Sequence, residues 1–70
     1  MKYVVVYERT TGGWSAYVPG LPGCVAAGRT RRETERLIRE AIAFHLEGLR
    51  AENAPIPESA AWAETVEVPA

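Results

Sequence analysis

Thr30-Arg31-Arg32-Glu33-Thr34-Glu35-Arg36-Leu37-Ile38 marks the point where the chain changes from strand-like to helical patterning. Thr30 followed by Glu33 matches the capping box. In that motif the Thr hydroxyl accepts from the Glu33 backbone N–H, and the Glu carboxylate reaches back to the Thr N–H. A helix is predicted to start here. With Leu37 at zero and 100° per residue, Ala41, Thr34, His45, Ile38, Leu49 and Ile42 fall between about 40° and 140°, forming one apolar stripe. Arg36, Arg39, Ala43, Glu47 and Arg50 point away from it. The pairs Glu35/Arg39 and Arg36/Glu40 are four apart and opposite in charge, worth only about 0.2 to 0.5 kcal/mol each, and indicate a solvated side. The helix is predicted to end between Ala51 and Asn53, because Asn tolerates the left-handed C-terminal conformation and Pro55 prevents continuation.

Upstream, Lys2 to Arg9 is rich in Val and Tyr and carries no breaker, which predicts a β-strand. Thr10-Thr11-Gly12-Gly13 supplies a turn into a second strand, Trp14 to Val18, so the pair is predicted to be an antiparallel hairpin. Pro19-Gly20-Leu21-Pro22-Gly23 holds two prolines and two glycines in five residues and reads as a tight, ordered loop. Cys24 to Arg29 is predicted as a short third strand. Downstream, Pro55-Ile56-Pro57 is extended, and Trp62, Val66 and Val68 alternate with Ala63, Thr65 and Glu67, with Glu64 breaking the apolar series, predicting a fourth strand over Ala61 to Val68. The expected fold is α+β, in the order βββαβ, with one helix covering one face of an antiparallel sheet. One domain is expected over residues 1–70, without a separate DNA-binding domain.

One helix covers only one face of a small sheet. Yet the first strand has Tyr3, Val5 and Tyr7 on one side and Val4 and Val6 on the other. Two apolar faces need two covers, and the second is expected to be a copy of the chain or a different protein. Chain length points the same way, since a domain of this size buries only about 60% of the surface its unfolded chain exposes. The lone Cys24 excludes an internal disulfide, which leaves self-association as the expected supplement, in a homodimer or higher homo-oligomer.

The chain has 8 Lys plus Arg against 9 Asp plus Glu, a formal charge of -1, and so no global attraction for nucleic acid or an anionic membrane. All nine acids are Glu. The run Tyr3 to Tyr7 is far shorter than the roughly 18 residues of a membrane span and lacks a secretory cleavage pattern. With one unpaired thiol, the expected location is the cytoplasm.

Taken in order, Glu8, Gly12-Gly13 with Trp14, Ala16, Val18-Pro19, Leu21-Pro22-Gly23-Cys24, Gly28, Thr30 and Glu33 form a pattern that resembles the HicB antitoxins. Glu40-Ala41-Ile42, His45-Leu46-Glu47-Gly48-Leu49 and Pro55-Ile56-Pro57 continue it, so the resemblance covers nearly the whole chain. It implies a partial ribonuclease H-like fold that self-associates and masks a small RNA-cleaving HicA-like toxin. Many members carry a further helix-turn-helix or ribbon-helix-helix module. The thirteen residues after Pro57 are expected to hold only the closing strand, so direct DNA binding is not expected.

Catalytic and metal-binding residues are expected to be absent, and no cofactor is called for. Glu8 taken as a nuclease carboxylate fails because two-metal chemistry needs several carboxylates converging on ions roughly 4 Å apart, and the chain has no Asp. His45 lies in the helix stripe without a second ligand nearby in sequence and reads as a packed imidazole. Cys24 reads as a small buried hydrophobe. Gly48 is expected to let the helix approach the sheet.

Trp14, Tyr17 and Trp62 are the large side chains suited to anchoring a partner. Arg29, Arg31, Arg32, Arg36 and Arg39 form the one local basic concentration, read chiefly as a solvated surface with Glu partners and secondarily as a phosphate contact. The leading expectation is a non-catalytic type II antitoxin. The alternative is a protein- or ligand-binding adaptor of the same fold without a toxin partner.

Overall fold

The computed structural model describes residues 1–69. Three strands, β1 (Val6–Thr10), β2 (Gly13–Tyr17) and β3 (Val25–Gly28), precede one helix, α1 (Arg31–Ala51). The strands form an antiparallel sheet in the order β1-β2-β3. The class is α+β, as the sequence predicts.

β1 starts four residues later than expected. Its register pairs Val6 with Tyr17, so Val4 would continue opposite Pro19, which has no N–H to offer the ladder. Between β2 and β3 the two Pro-Gly pairs make consecutive turns, closed by Leu21 N–H to Val18 C=O and Cys24 N–H to Leu21 C=O, each 3.0 Å. Pro22 then Gly23 at φ +85° is the signature of a type II turn, where the third residue must take a positive φ. These turns roll Leu21 and Cys24 inward, leaving them 0% and 4% exposed.

Thr30 caps α1, its Oγ1 accepting from the Glu33 N–H at 3.0 Å. The Glu33 carboxylate reaches one residue further back than the capping box prescribes, accepting from the Arg29 N–H at 3.0 Å. Gly28 explains why the helix can start so close to the sheet. A Cβ there would lie 2.7 Å from Thr34 Oγ1 and 2.9 Å from Glu33 Oε1, closer than real Cβ atoms approach. Thr34 is fully buried, and its hydroxyl donates to the Thr30 carbonyl at 2.8 Å, so no polar group is stranded. At the other end Asn53 adopts φ 54°. Its N–H donates to Arg50 C=O and that of Ala54 donates to Leu49 C=O, a Schellman closure.

α1 lies mainly across β3 and β2. Ile38 joins Ala16, Val18, Leu21 and Cys24 in the buried core, with Tyr3, Val5, Tyr7, Ala26, Ala41, Ile42 and Leu46 packed around it. The predicted stripe is present but wider, since Leu46 lay outside it. Gly48 does not serve helix-sheet packing: it is exposed, and a Cβ there would meet nothing within 4 Å.

The predicted fourth strand, Ala61 to Val68, does not form. Alternation supplies a strand's two faces but not the neighbouring backbone that a ladder requires. Among the described residues no backbone hydrogen bond joins this segment to the sheet. Trp62, Val66 and Val68 are 77%, 66% and 72% exposed.

Two substitutions test this architecture by urea unfolding. Thr30→Ala is expected to lower stability by about 1 kcal/mol through the lost cap, and Gly23→Ala by at least about 1 kcal/mol because Ala is strained at positive φ. Burial also pushes the Cys24 thiol upward from its ordinary value. A thiol raised in the folded state contributes stability that is fully present below the unfolded-state value and lost as pH rises towards the folded one. Unfolding midpoints should therefore fall above about pH 8.5, and Cys24→Ala should flatten that part of the profile.

Candidate protein-binding surface

The register assigns every sheet side chain to a face. Tyr7, Ala16 and Ala26 stand abreast on the helix side, with Arg9, Trp14 and Gly28 in the next row. On the opposite side Val6, Tyr17 and Val25 form a transverse apolar row, followed by Glu8, Ser15 and Ala27. No helix of the chain covers this second side. Tyr17 is 42% exposed and Val25 64%. Two apolar side chains in line on a rigid sheet, with a phenol able both to pack and to hydrogen-bond, make a surface suited to a protein partner.

The three expected anchors do not share one surface. Tyr17 belongs to the open face. Trp14 is half-buried on the helix side, where the Arg9 guanidinium lies 5.3 Å from its ring centroid. Such stacking on an exposed site is worth about 0.5 to 1 kcal/mol and engages the ring within the chain. Trp62 stands exposed in the segment after the helix. The sequence did not single out Val25 or Val6 as contacts. Their signal was present: with Cys24 and Ala26 inward, alternation turns Val25 outward. Phe44, 79% exposed on α1, falls beside the apolar stripe and is not part of this face.

The five arginines separate into three groups. Arg31 pairs with Glu35 at 3.2 Å and stands 5.9 Å from the Tyr7 ring centroid, so Glu35 bonds backward along the helix and not to Arg39 as predicted. Arg36 pairs with Glu40 at 2.8 Å, as predicted. Arg32 and Arg39 line a shallow depression together with Arg36, Glu35 and Glu40. Arg29 lies just beyond β3 and does not line that depression. Cations interleaved with carboxylates present a mixed field to phosphate. His45 is half-buried on α1. Among the described residues no three His, Cys, Asp or Glu side chains gather as a metal site. No helix there is long and apolar enough to cross a membrane.

Comparison with known proteins places this geometry. The family described as "HicB_like antitoxin of bacterial toxin-antitoxin system" matches residues 3–70. The chain belongs to the HicB-like antitoxin family. It is 39% identical to a UPF0150 protein of Thermoplasma acidophilum, over 94% of this chain and 97% of that one. It is 37% identical to a 14.9 kDa protein of Haemophilus phage HP1, covering 84% of this chain but only 44% of the phage protein. Among solved structures, a chain of a "HicA3 and HicB3 toxin-antitoxin complex" superimposes with a TM-score of 0.69 at 34% identity, over 79% of this chain and 64% of the other. This HicB-like chain thus spans less than half of the phage relative and under two thirds of the solved one.

For the arginine patch the expected result is no measurable binding of single-stranded RNA at about 50 mM salt, in a fluorescence-anisotropy titration. Binding that weakens with salt, with a slope reduced by about one for each of Arg32→Ala and Arg39→Ala, would instead make it a phosphate contact.

Proposed function

We propose that this HicB-like chain is a non-catalytic antitoxin of a type II toxin-antitoxin system, acting in the cytoplasm to bind and mask a small, HicA-like RNA-cleaving toxin. The observation that carries this reading is the uncovered row of Val6, Tyr17 and Val25. It stands on a fold similar to that of a chain solved in a toxin-antitoxin complex. The mechanism is steric: an apolar, rigid sheet face seats on the toxin and excludes RNA from it. Tyr17 is the central anchor, because a Tyr or Trp that becomes fully desolvated commonly dominates an interface. Val25 and Val6 extend the dry contact on either side. The chain self-associates in this role, and direct DNA binding is not part of it.

The test is co-expression with a HicA-like toxin encoded beside it. The two proteins are expected to co-purify, and this chain to restore growth that the toxin inhibits. Tyr17→Ala should weaken the complex by about 2 kcal/mol, roughly 30-fold. Val25→Glu should weaken it at least as much by burying an unpaired charge. Stable co-purification unaffected by both substitutions would move the interface off this face, and failure to rescue growth would remove the antitoxin role.

A further inference from the structure

The residues after the helix form an arm. Chain direction returns at Asn53, and the Tyr3 hydroxyl donates to the Pro57 carbonyl at 2.5 Å, fixing the arm's root beside the chain start. Ser59 also lies near Gly20. From Ala61 to Val68 the chain is neither helix nor paired strand. Its alternation nevertheless places Trp62, Val66 and Val68 on one side of an extended backbone, with Glu64 the one charge among them.

Two physical quantities say that this form is incomplete. A compact monomer of 7.7 kDa exposes about 4,300 Å², whereas this chain exposes 5703 Å². The excess is larger than the roughly 800 Å² that each partner gives up in a standard stable interface. A compact 70-residue chain has a radius of gyration of about 11 Å, against 13.8 Å here.

We infer that residues 61–68 add as a strand to the outer edge of β1 in a second copy of this chain, the two copies exchanging arms. β1 and β3 are the two edge strands of the sheet. β3 has four residues and carries α1 across it. β1 with the extended residues before it runs from Lys2 to Thr10, long enough for an eight-residue arm. Charge selects the same edge. The arm carries Glu64 and Glu67, while the stretch from Lys2 to Thr10 holds two cations, Lys2 before β1 and Arg9 within it, against the single acid Glu8. With Trp62, Val66 and Val68 turned to the open side, the added strand continues the row of Val6, Tyr17 and Val25, and Glu64 on the same side meets the even-numbered face of the chain start, where Lys2 lies. A second copy is the occupant because each chain holds both an unpaired arm and an unpaired edge, so one two-fold operation satisfies both. Main-chain bonding gives the affinity and alternate side chains the register.

The inference rests on self-association, and the experiment separates the two. Light scattering of the full chain at micromolar concentration should give a dimer. Val66→Pro removes an N–H from the added strand and is expected to raise the dimer dissociation constant at least tenfold, with the helical circular dichroism unchanged. Trp62→Ala should raise it as well, and it decides the matter if Val66→Pro loses helix. In a Trp14→Phe background, Trp62 emission should shift to the blue as the dimer forms. A monomer overturns both self-association and the exchange. A dimer indifferent to both arm substitutions overturns the exchange alone, as does a Trp62 shift seen only when toxin is added.

Discussion

The close seating of the helix start on Gly28 is the constraint from which the other features follow. With no side chain at that position, Thr34 and Glu33 come within distances that a Cβ would forbid. The Glu33 carboxylate then ties the last residue before the cap, Arg29, and the Thr30 hydroxyl closes the first turn. The helix is thereby held across β3 and β2, bringing Ile38 into one cluster with Ala16, Val18, Leu21 and Cys24. The consecutive Pro-Gly turns complete that cluster from the other end of the hairpin by turning Leu21 inward.

Seating the helix on one face leaves the other open. A single 21-residue helix spans about 31 Å, longer than the strands it covers, so helix and sheet cannot enclose each other. The closed side contains five buried hydrophobic residues. Burying one large aliphatic side chain contributes about 1.5 to 3 kcal/mol, and only Val18, Leu21 and Ile38 of the five are that large, so the core leaves little margin against the entropy of ordering a chain of this length. Surface supplied by a partner is therefore part of the energetics and not only of the function. An open apolar sheet and an unpaired arm are two expressions of the same geometry.

Electrostatics has a secondary place. The two ion pairs lie on the exposed side of α1 and belong to the class worth at most a few tenths of a kcal/mol in solvent. Their effect is to interleave charges of both signs, which keeps the outer helix solvated. The arginines nearest aromatic rings, Arg9 and Arg31, do more for packing, each covering a ring at the margin of the sheet.

Local chemistry was legible in the sequence because each signal is complete within a few residues. Thr30 and Glu33 specify the helix start, Asn53 and Pro55 its end, Pro22-Gly23 a turn, and alternating side chains the three strands. The opposed orientations of Trp14 and Tyr17 follow from their odd separation within one strand. Most of the unmet expectations needed something distant in the chain, and the ion pair turned on a choice between two equally near partners. Glu35 chose Arg31 over Arg39, both being one turn away; Gly48 faced open space; and Ala61 to Val68 had a strand's pattern without a neighbouring edge. Sequence by itself thus determined the elements, their order and the existence of two apolar sheet faces. Only the tertiary structure decided which face the helix covers and left the arm unpaired, because burial and strand pairing depend on what the rest of the chain brings alongside.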